Sequence, residues 1–140
     1  FRGNLVTVLG WGVADSATSW YYPEILRQVS LPVVADSTCN DIYINPVLPS
    51  QFCAGYWEGK DACEGDSGGP AVVQVDGHWV HAGIVSAGVS CQEYFGWYGK
   101  YTRTSAYLSF IRQYAPYVAV TGKIPAGGTL PAVNLLLLTP

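Results

Sequence analysis

Short apolar stretches recur along the 140-residue chain, and stretches rich in Gly, Asn and Asp separate them. Apolar or alternating runs of this length, bounded by turn residues, are typical of β-strands. The dipeptide Asp76-Gly77 lies between two alternating runs and predicts a tight β-hairpin. The pattern therefore predicts strands at Leu5–Leu9, Ile25–Val34, Ala71–Val75, Trp79–Val85 and Gly99–Arg103.

One segment near the C-terminus has the spacing of an α-helix instead. Thr104 or Ser105 can cap its N-terminus, and Pro116 would end it. Its apolar face, with residues at i, i+3, i+4 and i+7, consists of Tyr107, Phe110, Ile111 and Tyr114. Short strands followed by one terminal helix predict a small antiparallel barrel with a helix packed against its outside.

Composition agrees with a β protein and excludes several classes of function. The chain has 16 Gly, 9 Pro and 10 Tyr, which suits a turn-rich β structure better than a helical bundle. The net charge is −3 and no Lys/Arg cluster occurs, so nucleic acid is not an expected partner. No apolar run approaches the ~20 residues of a membrane-spanning helix. We therefore expect no membrane span.

Residues 118–140 differ from the rest in composition and are expected to form a Pro/Gly-rich apolar tail outside the barrel of residues 1–117. Its glycines and prolines are expected to break any regular element, and Lys123 is its only charged residue. We expect a linker or an extended tail. A remnant of a hydrophobic membrane-attachment signal is the alternative, although the run Leu135 to Leu138 is too short to hold a chain in lipid.

The candidate chemistry lies in residues 61–70, which read Asp-Ala-Cys-Glu-Gly-Asp-Ser-Gly-Gly-Pro. Ser67 stands among Gly65, Gly68 and Gly69, and such glycines permit a tight backbone path and the close approach of a substrate. A turn of this kind presents the hydroxyl outward and directs the amides of Gly65 and Ser67 to one spot, where they would hold an oxyanion. A Gly-rich surface turn without catalytic function is the alternative.

The string from Gly65 to Pro70 resembles the nucleophile motif of the chymotrypsin/trypsin family of serine proteases. Further stretches resemble the family in order and spacing over about residues 4–117, namely Leu9–Gly12, Phe52–Gly55, Gly83–Ser86 and Tyr101–Arg103. The resemblance implies an all-β fold, an antiparallel six-stranded Greek-key barrel with a C-terminal α-helix. This barrel would be the second, C-terminal barrel of the family's double-barrel catalytic domain.

The resemblance also assigns roles around the nucleophile. Ser67 would attack the substrate, and the amides of Gly65 and Ser67 would form the oxyanion hole. Asp66 would pair with the α-ammonium group that forms when a zymogen is cleaved, a role compatible with its simpler interpretation as a turn-capping residue.

Asp61 would be the acid at the floor of the primary specificity pocket, where an Arg or Lys side chain of the substrate supplies the opposite charge. A solvated loop acid is the alternative for this residue. The other substrate-binding residues implied by the resemblance are Ala62, Ser86, Gly88 and Gly99, of which the two glycines would keep the pocket open.

The four cysteines fit the same resemblance. It implies the disulfides Cys39–Cys53 and Cys63–Cys91, and hence a secreted, extracellular protein. A metal site is the rival interpretation, but no Cys-x-x-Cys pair occurs in the chain. We expect neither a metal nor a cofactor.

The pattern departs from the family in its catalytic base. The family's His and buried Asp belong to an N-terminal half that we do not find here. The two histidines, His78 and His81, fall on a hairpin away from the nucleophile. The chain has no Met and starts just before an apolar strand, which is typical of a fragment or a processed chain. In addition, Ala87 stands where the family usually has Trp, and Ser90 where many members have Gly.

The sequence therefore predicts the C-terminal half of a trypsin-like serine endopeptidase that cleaves after Arg or Lys through an acyl-enzyme on Ser67. Its expected partners are the N-terminal half, protein or peptide substrates, and protease inhibitors. A non-catalytic homologue that serves as a binding or structural module is the alternative. An unrelated α/β-hydrolase is disfavoured, because no strand–helix alternation surrounds the serine.

Overall fold

The computed structural model of the chain describes residues 4–14, 21–56, 60–88, 98–121 and 135–137. Within these ranges strands predominate, and the helical segments are short. In chain order the elements are β1 (Leu5–Gly10), β2 (Arg27–Val34), α1 (Asp36–Asn40), β3 (Gln51–Ala54), β4 (Pro70–Val75), β5 (His78–Ala87), β6 (Gly99–Arg103), a 3₁₀ turn (Thr104–Tyr107), α2 (Leu108–Tyr114), β7 (Ala119–Thr121) and β8 (Leu135–Leu137).

Six of the strands close into an antiparallel barrel. The hydrogen-bonded order is β4-β1-β2-β3-β6-β5, and pairing of β4 with β5 completes the ring. β3 neighbours β2 and β6, whereas β4 neighbours β1 and β5, so the connection between β3 and β4 crosses to another part of the barrel. This is a Greek-key arrangement, and the predicted fold class is confirmed.

The barrel core is built by inward-facing residues from all six strands, since alternate residues along a strand face the same side. Val6, Leu31, Phe52 and Tyr101 are fully buried within it. Phe52 and Tyr101 are directly opposite each other on β3 and β6, and their rings stack with centroids 5.2 Å apart. Tyr101 of this pair also contacts Asp61, within the segment that carries the candidate chemistry.

A second cluster packs outside the barrel around the disulfide between Cys39 and Cys53, which is present as expected. Tyr98 is buried with these cysteines, and Tyr43 packs against them. The disulfide joins α1 to β3, so the long connection between these elements is fixed to the barrel wall at both ends.

The predicted terminal helix is present, but its predicted apolar face does not pack as expected. The first turn, Thr104–Tyr107, is a 3₁₀ helix, which has 3.0 residues per turn and therefore shifts Tyr107 relative to α2. Thr104 and Leu108 are the buried residues, whereas Phe110 is 59% and Tyr114 76% exposed.

The tail, residues 118–140, was expected to form no regular element, but it contains the strands β7 and β8. β7 pairs with β8, and β8 pairs with Val80 and His81 of β5. β6 pairs with β5 only from Gly83 to Ala87, so the preceding part of this β5 edge is available to another strand. Backbone hydrogen bonding at an open edge accounts for a strand that side-chain periodicity did not reveal.

Candidate active site

The residues predicted to carry chemistry lie on the connection between β3 and β4. Gly65 and Gly68 have φ angles of +93° and +82°, in the left-handed region that other residues rarely adopt. Ser67 lies between them and is exposed. The amide of Gly68 donates to the carbonyl of Val85 at 2.9 Å, which holds the turn against β5. The serine is therefore presented to solvent from a fixed backbone.

Asp66 is the anchor of this turn. Its carboxylate accepts hydrogen bonds from the amides of Gly12, at 2.8 Å, and Cys63, at 2.9 Å. Gly10 and Gly12 give the carboxylate its space, since a Cβ built at Gly12 would lie 2.5 Å from Asp66 Cγ and one at Gly10 would overlap Oδ1. Positions 10 and 12 of the Gly-Trp-Gly stretch are therefore glycine because a side chain there would collide with the Asp66 carboxylate. The sequence alone did not reveal this reason.

The amides predicted to form the oxyanion hole belong to Gly65 and to Ser67 itself. Over the part of the chain that the structure describes, the N–H groups of Gly65 and Ser67 have no hydrogen-bond partner. The ring of Tyr22 lies against Gly65, so close that a Cβ built on Gly65 would be 3.0 Å from Tyr22 Cε1. Unpartnered donors beside an exposed hydroxyl are the arrangement that stabilises an oxyanion.

Asp61 is mostly buried and lies six residues before Ser67 on the same connection. Its carboxylate accepts hydrogen bonds from the amide of Ala62 at 2.7 Å, the hydroxyl of Tyr101 at 3.1 Å and the amide of Gly99. Burial raises its pKa to about 6, and these hydrogen bonds oppose the rise. Among the described residues no cationic side chain contributes to its pKa, so the mostly buried carboxylate is left without an opposite charge.

The other predicted substrate-binding residues divide into two groups. Ala62 and Gly99 adjoin Asp61, and a Cβ at Gly99 would lie 2.7 Å from Asp61 Oδ1. Ser86 and Gly88 are exposed at the end of β5, beyond its last pairing with β4. Ser86 coincides with a register irregularity between β5 and β6. The described contacts thus bring Ala62 and Gly99 next to Asp61, whereas no described contact joins Ser86 or Gly88 to it.

A protein-family model described as Trypsin matches residues 2–111. The chain belongs to the trypsin family. It is 44% identical over 125 residues to clotting factor C of Tachypleus tridentatus and 37% identical over 123 residues to the tryptase of Mus musculus. Each match covers 81% of this chain, but only 12% of the clotting factor and 44% of the tryptase. The chain therefore spans less than half the length of these relatives.

As a trypsin-family chain, it also resembles the serine protease filzig of Drosophila melanogaster, with 39% identity over 119 residues. The predicted membership in this family is confirmed, and relatives named as proteases do not favour the non-catalytic alternative. None of the helices in the described ranges has the length and apolar character needed to cross a membrane.

The two histidines of this trypsin-family chain lie away from the nucleophile. His78 begins β5 at the hairpin, whereas Ser67 precedes β4 and adjoins the opposite end of β5 through Gly68 and Val85. His81 Nδ1 is 2.8 Å from the hydroxyl oxygen of Thr104, and burial lowers the pKa of the imidazole. No described hydrogen bond joins either histidine to Ser67.

Cys63, between Asp61 and Asp66, is disulfide-bonded, whereas its predicted partner Cys91 lies outside the described residues. Over those same ranges no cluster of three metal-ligating side chains occurs. Sequence reasoning missed Tyr101 as a partner of Asp61. The signal was available, since Gly99 and Tyr101 are two apart on a strand and therefore face the same side.

Proposed function

We propose that this chain is the nucleophile-bearing half of a serine endopeptidase that cleaves peptide bonds after Arg or Lys. The observation that carries the proposal is the turn anchored by Asp66, which exposes Ser67 and gives the amides of Gly65 and Ser67 no partner among the described residues. The mostly buried Asp61 on the same connection supports the preference for a cationic side chain.

In the proposed reaction, Ser67 Oγ attacks the scissile carbonyl and its proton passes to a histidine base. The amides of Gly65 and Ser67 donate to the oxyanion of the tetrahedral intermediate. The base then protonates the leaving amine as the peptide bond breaks, which yields an acyl-enzyme. Water attacks this ester by the same route and regenerates Ser67.

Specificity in this proposal comes from Asp61, whose carboxylate would pair with the guanidinium or ammonium group of the substrate. Ala62 would border the bound side chain, Gly88 and Gly99 would keep the pocket open, and Ser86 would pair with the substrate backbone. Protein inhibitors that present an Arg or Lys would bind the same way. Ala87, a small residue beside Ser86, would leave this entrance open.

The base and its orienting aspartate would come from an N-terminal half that packs against this barrel. The positions of His78 and His81 support this, as do relatives more than twice as long as the matched region. Phe110 and Tyr114 are exposed apolar side chains that such a half would cover. Asp66 would pair with a new α-ammonium group on activation of the zymogen, and the disulfides suit a secreted protein.

The proposal is tested by treating the protein, as isolated from its source, with a fluorophosphonate and recording intact-mass and peptide spectra. We expect one adduct, located at Ser67, and none in the Ser67→Ala variant. Without a histidine base the rate falls by about 10⁶-fold in a comparable triad, so labelling also reports that a base is present. An activated preparation that carries the N-terminal half and yet remains unlabelled would overturn the proposal in favour of a binding module.

A further inference from the structure

We propose that Lys100 is a positioning residue of the Asp61 pocket, whose buried ammonium group holds Tyr43 against the backbone that faces the carboxylate. The inference rests on the proposed role of Asp61 as the acid that binds the substrate side chain. It adds to that role a support on the outer side of β6, away from any contact with substrate.

Lys100 is unusual because it is a lysine in the interior of the protein. Its side chain is only 7% exposed, whereas lysines are almost never fully buried without a partner. The ammonium nitrogen donates to the carbonyl of Asn45 at 2.9 Å and lies 4.0 Å from the centroid of the Tyr43 ring. A desolvated ammonium over an aromatic face is a strong cation–π contact, so Lys100 fixes the position of that ring.

Tyr43 passes this constraint to the pocket. Its hydroxyl donates to the carbonyl of Tyr98, the residue directly before Gly99. Gly99 in turn donates its amide to Asp61, and its Cα lies so close that an added Cβ would be 2.7 Å from Oδ1. The contacts therefore run without a gap from the ammonium group to the carboxylate.

Strand alternation explains why the support lies on one face of β6 and the pocket on the other. Gly99 and Tyr101 adjoin Asp61, and Lys100 between them points to the opposite side. There it lies opposite Cys53 on β3, beside the cluster that contains Tyr43 and the disulfide. Displacement of the Tyr43 ring would move the Tyr98–Gly99 peptide and leave the Tyr101 side chain in the core.

The consequence is measurable at the carboxylate. The described titratable groups that act on Asp61 are Tyr101, Tyr43 and Asp66, and its nearest donors include the Gly99 amide. That amide lowers the pKa of Asp61. A variant that loosens the Tyr98–Gly99 peptide would therefore bind cations more weakly and would require a higher pH for binding.

The experiment uses p-aminobenzamidine, a fluorescent mimic of the arginine side chain whose binding requires no catalysis. Its dissociation constant is measured from pH 5 to 8 for wild type, Lys100→Met, Lys100→Arg and Tyr43→Phe. Loss of one well-placed hydrogen bond is worth about a factor of ten, so we expect about tenfold weaker binding in Lys100→Met and Tyr43→Phe. Their binding midpoint should also move to higher pH, and Lys100→Arg should restore part of the affinity.

The matched control is Lys60→Met, which removes the same charge from the residue next to Asp61 but has no contact with Tyr43. This exposed lysine lies 5.8 Å from the Tyr56 ring, so its loss should leave affinity and midpoint as in wild type. If Lys100→Met and Tyr43→Phe behave like Lys60→Met, the inference is overturned while the pocket stands. If wild type and Asp61→Asn bind the probe equally, both the pocket and the inference fail. Should Lys100→Met not fold, Lys100→Gln, which also removes the ammonium group, is measured in its place against the same criteria.

Discussion

The carboxylate of Asp66 occupies the space into which a side chain at position 10 would project, so only glycine fits there. Asp66 is also held by the amide of Gly12, so the end of β1 and the nucleophile turn are one packed unit. Each of the two glycines is 54 or more residues from Asp66 in the sequence, and the closed barrel brings them together.

Substitution of Gly10 by Ala should therefore lower the reactivity of Ser67, although the new methyl group does not contact Ser67. The new methyl group would displace Asp66 Oδ1 and with it the turn that carries Ser67. Misplacement of a reacting group by about 1 Å costs about a hundredfold in rate, so we expect a fall of that size in fluorophosphonate labelling of Ser67. The measurement is the second-order rate constant of labelling in the complete protease.

Gly77→Ala is the control for this substitution. Gly77 has a φ of +81°, and a Cβ there would meet no described atom within 4 Å. It should lower stability by about 1 kcal/mol through backbone strain and leave the labelling rate unchanged. Equal labelling of Gly10→Ala and wild type would refute the role of the Gly10–Asp66 contact.

Binding of arginine mimics should weaken sharply in mild acid. Burial raises the pKa of Asp61 to about 6, so the carboxylate is ionised above this pH and neutral below it. Affinity for p-aminobenzamidine should then fall about tenfold for each pH unit below 6 and be constant above 7. Titration of probe fluorescence between pH 4.5 and 8, values chosen to bracket that pKa by about 2 units, checks this expectation. A profile that stays flat down to pH 4.5 would mean that Asp61 is not the ligand.

Asp61→Asn should stabilise the fold at neutral pH. The pKa of this acid is higher in the folded protein than its ordinary value of 3.8, so its favourable contribution is complete below pH 3.8 and is lost as the pH rises through about 6. An amide never ionises and avoids that loss. The free energy of unfolding in urea at pH 7.5 should rise by about 1–2 kcal/mol, and the gain should vanish near pH 4. A variant less stable than wild type at pH 7.5 would contradict this.

Gly99→Ala should separate binding from nucleophilicity. The added methyl would lie 2.7 Å from Asp61 Oδ1 and 3.0 Å from the Tyr101 hydroxyl, in the space proposed for the substrate side chain. Overpacking of this kind costs about 1–3 kcal/mol, so p-aminobenzamidine should bind about tenfold to a hundredfold more weakly. A small fluorophosphonate should still label Ser67 at the wild-type rate. Parallel losses in both measurements would place Gly99 in the support of the nucleophile instead.

Local patterns in the sequence identified most of the barrel strands. The runs at β1, β2, β4, β5 and β6 are recognisable because each is a local stretch of apolar residues, and the Asp76-Gly77 turn marks the hairpin of β4 and β5. β3 was not identified, because its four residues, Gln51–Ala54, are too few to establish a period. Its place between β2 and β6 is decided by pairing across the barrel, which periodicity does not report.

Local patterns in the sequence also do not reveal what covers the apolar face of α2 or which distant residues hold the candidate active site in place. The spacing of Phe110 and Tyr114 marks an apolar face but does not say what covers it, and both are exposed over the described barrel. The nucleophile turn was identified from its glycines and its resemblance to a family. The contacts of Asp66 with Gly12 and of Lys100 with Tyr43 join distant segments, so only the folded chain reveals them.

The nucleophile turn should have its own signature in amide hydrogen–deuterium exchange. The amides of Gly12 and Cys63 lie outside any strand, but both donate to the Asp66 carboxylate and should exchange slowly. The amides of Gly65 and Ser67 have no partner among the described residues and should exchange within the shortest labelling time. Two unprotected amides inside a protected loop would mark a site that is assembled before any substrate arrives.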